Sequence, residues 1–292
     1  MDILIGADPE FFVCDKDGKY ISAHGLVSVT KKTPLPVKDG AVQVDGMALE
    51  FNINPAKDLA QFTTNISSVL TQLREMVDTS LDFKFDPVAK FGRKLIETQP
   101  LEARELGCDP DFNAWNGGQP NPRPDALSDI RTASGHIHIG WTKDEDINNP
   151  DHLEACIMVT KQLDIALGIA EPLWCEPNSR KTLYGELGAF RPKHYGVEYR
   201  VLSNAWLRTE KLRTLVYSTA KKAVDELYRG VNYASYVDDV SYLKGRNAYD
   251  YASSYLSYSR VCEIFGAAEG DDVFRNWLKS FGTRPPKRIY LS

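Results

Sequence analysis

The sequence predicts an α+β fold built mainly on antiparallel strands. Asp17-Gly18, Asp39-Gly40 and Asp45-Gly46 interrupt alternating or apolar runs, which is the pattern of tight hairpins. Hairpin signals dominate and the long helix-periodic stretches arrive singly, not in the strand–helix alternation that a parallel sheet needs. Neither GxGxxG nor GxxxxGK[ST] occurs, so Rossmann and P-loop nucleotide sites are not indicated.

In chain order, Ile3-Leu4-Ile5 reads as a buried strand that breaks at Gly6-Ala-Asp-Pro-Glu10 and resumes as Phe11-Phe12-Val13-Cys14. Asp8 and Glu10 flank Pro9 and can reach a common cation. Tyr20 to Ser22 and Leu26 to Thr30 are predicted strands, followed by a loop punctuated by Pro34 and Pro36. A hairpin over 41–54 then places Glu50, Asn52 and Asn54 on one face and Leu49, Phe51 and Ile53 on the other. Such a polar face is either solvated or lines a cavity. A packing helix is predicted from Ala56 to Leu81, with Leu59, Phe62, Ile66, Val69, Leu73 and Val77 at helical spacing. Residues 83–106 read as mixed strand pieces. Gly107-Cys-Asp-Pro-Asp-Phe112 echoes Gly6-Ala-Asp-Pro-Glu-Phe11, and an Asn/Gly/Pro-rich loop over 113–133 has the make-up of a substrate loop or lid. Asn149-Pro150 starts a helix to about Ala170. Another helix spans about 209–228 and ends at Gly230, with further helical segments near 247–265 and after Asp271. With no repeat and no low-complexity run, residues 1–292 read as one domain, of which 206–292 is the helical part.

Composition narrows the function. The net charge of -5 argues against direct nucleic-acid binding. Five scattered cysteines without a CxxC pair point to a reducing compartment and buried thiols. No signal peptide and no long apolar run is visible, so a cytoplasmic, non-membrane protein is expected.

Chemistry concentrates in two strands. Ser134-Gly-His-Ile-His-Ile-Gly-Trp141 puts His136 and His138 on one face, roughly 7 Å apart, and Ile137 and Ile139 on the other. Val197-Glu-Tyr-Arg-Val201 likewise puts Glu198 and Arg200 on one face. Asp8, Glu10, Glu50, His136, His138 and Glu198 have the residue types for Mg²⁺ or Mn²⁺. The HxH strand alone also fits a zinc hydrolase, or two merely hydrogen-bonded histidines. Arg180, Lys181, Arg191 and Arg200 suit phosphate oxygens, although a solvated loop would account equally for Arg180 and Lys181. No cysteine sits in a nucleophilic arrangement.

Taken together, five pieces resemble the phage-type COOH–NH2 ligases (amidoligases), a branch of the glutamine synthetase-like fold that includes glutamate–cysteine ligases. They are Gly6-Ala-Asp-Pro-Glu-Phe11, Val44-Asp-Gly-Met-Ala-Leu-Glu-Phe-Asn52, Gly107-Cys-Asp-Pro-Asp-Phe112, Ser134-Gly-His-Ile-His-Ile-Gly140 and Val197-Glu-Tyr-Arg-Val201. The resemblance implies a funnel of antiparallel strands backed by helices, holding ATP and two or three Mg²⁺ (or Mn²⁺) ions. It maps metal binding onto Glu10, Glu50, His136 or His138, and Glu198, with Asp8 as a further ligand. It maps nucleotide or phosphate contacts onto His136, His138, Arg180, Lys181, Arg191 and Arg200, and catalytic work onto Glu50, Arg191 and Arg200. The implied reaction joins a small-molecule or peptide carboxylate to an amine through an acyl phosphate, in the host cytoplasm if the protein is phage-encoded. Oligomeric state stays open. Two other readings remain: a metal-dependent hydrolase using the HxH strand, and a non-catalytic binding or structural phage protein retaining the fold.

Overall fold

The structure is a computed structural model that describes residues 2–29, 33–104, 111–122, 129–175 and 180–236. The predicted helices near 247–265 and after Asp271 lie outside the described residues, as does most of the Gly107 echo.

The strands are β1 (Leu4–Ala7), β2 (Glu10–Cys14), β3 (Tyr20–Ile21), β4 (Leu35–Val37), β5 (Gly40–Asp45), β6 (Ala48–Ile53), β7 (Asp82–Lys84) and β8 (Val88–Lys90). They continue with β9 (Phe112–Asn113), β10 (Gln119–Pro120), β11 (Ile130–Thr132), β12 (Ile137–Gly140), β13 (Ala189–Lys193) and β14 (Gly196–Tyr199). The α-helices are α1 (Leu59–Met76), α2 (Arg93–Glu97), α3 (Leu101–Arg104), α4 (Pro150–Ala166), α5 (Arg180–Leu183) and α6 (Glu210–Tyr228). One sheet runs β1-β12-β14-β13-β9-β10 and a second runs β3-β2-β6-β5-β4, with β7 also on β2 and a small β11-β8 pair beside them. Every pairing among the described strands is antiparallel, so the α+β expectation holds.

The three long helices start where their capping side chains dictate. Asp58 accepts from the Gln61 N–H at 2.8 Å, Asn149 from the Asp151 N–H at 3.0 Å, and Thr209 from the Leu212 N–H at 3.2 Å. α1 buries Phe62, Ile66, Val69 and Leu73 against β5 and β6. α4 backs β13 and β14, and α6 packs on both other helices. Phe62 stacks on Trp206 with centroids 6.1 Å apart and meets Tyr217 at 5.1 Å.

Three sequence expectations are corrected. The first helix stops at Met76, short of Leu81, and Arg74 donates to the Val77, Asp78 and Leu81 carbonyls beyond its end. The α4 helix stops at Ala166 and tightens into 3₁₀ turns over Gly168–Leu173. Leu26 to Val29 is a turn and not a strand: its N–H groups bond locally, Leu26 to Ala23 and Val29 to Val27. Residues 83–104 resolve into β7, β8, α2 and α3.

The tight turn between β13 and β14 requires glycine. Gly196 has φ +148, and a Cβ there would lie 2.1 Å from the Ile139 carbonyl oxygen of β12. Gly196→Ala is expected to lower unfolding free energy by about 1–3 kcal/mol in urea denaturation; an unchanged midpoint would show that the turn relaxes freely.

Candidate functional site

The two sheets meet where the chain leaves β1, turns at Asp8-Pro9 and enters β2. Across this turn the Asp8 N–H donates to the His136 carbonyl at 3.3 Å and the Glu10 N–H to the Ser134 carbonyl at 2.8 Å. The Ser134 N–H returns a bond to Glu10 Oε2 at 2.9 Å. One short segment therefore supplies a carboxylate to each sheet. A cleft of about 260 Å³ opens there, lined by acids and bases from both sheets.

Register explains why the first sheet is so rich. Gly6, His138, Glu198 and Arg191 lie directly opposite one another across β1, β12, β14 and β13. The neighbouring row of Ala7, Ile137, Tyr199 and Phe190 faces the core and is fully buried. Strand alternation puts Glu198 and Arg191 of the charged row into the cleft.

Glu198 is the hub. Its side chain is 1% exposed, and it is ion-paired with Arg200, with Lys193 at 2.9 Å and with Arg191 at 3.5 Å. Burial opposes its ionisation, but Arg200 and the two histidines outweigh burial and hold the carboxyl well below the usual range. Arg200 is gripped on its far side by Asp111 at 3.4 Å, which Asn121 in turn holds at 3.0 Å. Burial works against the charged form of Arg200, yet Glu198 raises its pKa overall.

His136 Nδ1 stands 3.5 Å from both Asp8 Oδ1 and Glu198 Oε1. Arg200 Nη1, which can only donate, also approaches that nitrogen at 3.5 Å. Burial first and Arg200 second push this imidazole down to about 4, leaving it neutral at pH 7. Its Nε2 is buried without a hydrogen-bond partner among the described residues. His138 differs: Nε2 stands 3.0 Å from Asp8 Oδ1, and Nδ1 meets the Tyr195 hydroxyl. Burial opposes protonation of His138, but Asp8 raises its pKa overall. Asp8 itself would be raised by burial, and the two histidines instead hold it well below its ordinary value.

Six side chains form two potential cation sites. Asp8, His136 and Glu198 bring ligand atoms within 4.8 Å of one another, and so do Glu10, Asp45 and Glu50. The first offers two carboxylates and an imidazole, the second three carboxylates, and both donor sets fit Mg²⁺ or Mn²⁺. Glu10 and Glu50 stand directly opposite on β2 and β6, where like charges repel, and a cation between them would relieve that.

The predicted residues thus come together in most cases. Asp8, Glu10, Glu50, His136, Glu198, Arg191 and Arg200 all line the cleft. Glu50 is buried there, Asn52 is half-buried and Asn54 is exposed, so only the first of that polar face reaches the site. His138 stands behind Asp8. Arg180, 1% exposed, is not among the cleft-lining residues; it donates to the Val201 and Leu202 carbonyls at 2.9 and 3.0 Å and to Ser134 Oγ at 3.2 Å. Gly185, at φ +73, leaves the space its guanidinium occupies. Lys181 sits in α5, and its side chain lies outside the described residues. Sequence reasoning missed Asp45, read only as a turn residue, and Asp111, Arg131, Tyr184 and Gln43, and it placed Lys193 only in a local basic cluster over 171–195. Two of these carried a signal: Asp111 occupies the position of Glu10 in the echoed motif, and Lys193 shares the strand parity of Arg191.

No protein-family profile and no curated protein sequence matches this chain. Among solved structures it is similar to a novel glutamine synthase homolog over 95% of this chain and 71% of the other, at 11% identity and a TM-score of 0.45. It is similar to GmaS, solved without ligand, over 97% and 70% at 13% identity and 0.45. It is also similar to a bifunctional glutathione synthetase from Pasteurella multocida, over 96% of this chain and 47% of that one, at 13% identity and 0.45. No helix among the described residues is long and apolar enough to cross a membrane.

The depressed His136 has a pH signature. Between pH 6.5 and about 4 the unfolded chain takes up a proton that the folded ring refuses, so this contribution to stability is present above 6.5 and lost as pH falls. In denaturant titrations His136→Gln is expected to flatten the loss of stability over that window; equal slopes in wild type and variant would refute a neutral His136.

Proposed function

We propose that this protein is an ATP- and Mg²⁺-dependent carboxylate–amine ligase of the amidoligase kind that its motifs resemble. The observation that carries this reading is the pairing of two cation sites across one cleft with a bank of phosphate-sized cationic groups, Arg191, Lys193 and Arg200. A hydrolase needs the first site alone. A phosphoryl transfer gains from both sites and from the arginines, because charge must be neutralised on the transferred group and on the departing diphosphate.

In this reading Asp8, His136 and Glu198 hold one divalent ion, and Glu10, Asp45 and Glu50 another. Bound there, the ions supply Lewis-acid neutralisation of phosphate charge. Arg200, fixed between Glu198 and Asp111, presents its guanidinium at a set angle without reorganising as charge develops. Arg191 and Lys193 sit on the more open side of the cleft, half-buried, and turn from Glu198 towards phosphate oxygens. The carboxylate substrate is activated as an acyl phosphate, which an amine then attacks. Residues 113–122 approach Arg200 through Asn121, which holds Asp111, and serve to keep water from the activated acid. The substrates are a small-molecule or peptide acid and an amine.

Calorimetric titration with a non-hydrolysable ATP analogue, with and without Mg²⁺, tests the reading. Wild type is expected to bind in a Mg²⁺-dependent manner, and Arg191→Ala to bind at least about tenfold more weakly, the effect of one lost charge-assisted contact. Absence of nucleotide binding with any divalent ion would overturn it, and zinc-dependent hydrolysis without nucleotide would favour the hydrolase.

A further inference from the structure

His138 shares a strand face with His136 and lies opposite Glu198, yet the cleft lining contains His136 and not His138. Its ring is approached at both ends. Nε2 stands 3.0 Å from Asp8 Oδ1, an ion-pair distance, and the Tyr195 hydroxyl closes on Nδ1. An ionised carboxylate only accepts, so Nε2 must carry the proton. In the neutral ring the remaining lone pair is then on Nδ1, where the tyrosine hydroxyl donates to it; in the charged ring no lone pair remains. Neither state leaves His138 a nitrogen to offer a cation.

Tyr195 is itself held firmly. It sits in the β13–β14 turn, and its carbonyl accepts from the Trp141 N–H at 2.9 Å and the Thr142 N–H at 3.2 Å. The His194 ring packs edge-on against it with centroids 5.1 Å apart. His138 is fixed from below as well, because Ile137 and Ile139 on either side of it are fully buried. Asp8, by contrast, sits on the short connection between β1 and β2, outside both strands.

We infer that Tyr195 and His138 form a brace that aims the Asp8 carboxylate at the cation site it shares with His136 and Glu198, so that His138 is a positioning residue and not a ligand. This rests on the cation site of the proposed function. The tyrosine sets the histidine's tautomer, the histidine sets the carboxylate's rotamer, and the carboxylate meets the ion. Outer partners of this kind are worth about 10–100-fold in metal affinity.

Mn²⁺ binding to the full chain, followed by electron paramagnetic resonance and calorimetry, tests the brace in wild type, His136→Ala, His138→Ala, His138→Gln and Tyr195→Phe. Thermal unfolding of each variant confirms that it is folded. His136→Ala is expected to empty the first site. His138→Ala is expected to weaken it about 10–100-fold and leave the Glu10, Asp45 and Glu50 site unchanged. His138→Gln, whose amide restores an N–H donor near the Nε2 position, is expected to recover most of the affinity, and Tyr195→Phe to weaken the first site in the same direction as His138→Ala. Unchanged affinity in His138→Ala overturns the brace, and so does a loss as complete as that in His136→Ala without recovery in His138→Gln. If wild type binds no Mn²⁺, the cation site fails and the brace with it. Binding that survives while His138→Ala has no effect removes the brace alone.

Discussion

The site depends on one buried ion pair, Glu198 with Arg200. A carboxylate 1% exposed would be costly to ionise alone, and a guanidinium beside it equally so. Each tolerates burial because the other is there, and both are tied outward: Glu198 to Lys193, Arg191 and His136, and Arg200 to Asp111. Every further charged group in the first sheet's half of the cleft takes its place relative to that pair. The neutral state of His136 comes from its burial first and from the charge of Arg200 second.

The second constraint is the Asp8-Pro9-Glu10 turn. It carries the chain from one sheet to the other, with Glu10 already the first residue of β2, and its two carboxylates go in different directions. Asp8 joins the histidine strand, and Glu10 joins the β5–β6 hairpin. The division of six ligand candidates into two groups of three follows from this turn. A continuous strand would have put both acids on one face, two residues apart.

Much of this was legible beforehand. Alternation in the HxH and Glu-x-Arg strands predicted correctly which side chains share a face, because a two-residue period survives any tertiary context. The Asn149-Pro150 pair marked a true helix start. What could not be read was partnership at a distance. Arg180 has the sequence surroundings of an exposed phosphate binder, and only the carbonyls of residues 201 and 202 reveal it as an internal fastener. Parity cannot separate His136 from His138, since the difference lies in a tyrosine 57 residues away. Asp45 was hidden by its own turn motif, where an Asp-Gly pair already has a sufficient explanation.

β1 stands at the edge of its sheet with β12 as its one strand neighbour there, apart from a bridge to Ala56. The bond that closes its junction, Ser134 to Glu10, spans 124 residues. Such a contact is entropically expensive to close and forms slowly compared with the hairpins on either side. Asp8 can therefore meet His136 and Glu198 only in a chain whose long-range topology is complete. A divalent ion held by those three residues would bind the finished fold and have no counterpart in the open chain, so its concentration would act directly on the folding equilibrium, by about 2.7 kcal/mol at a hundred times its dissociation constant.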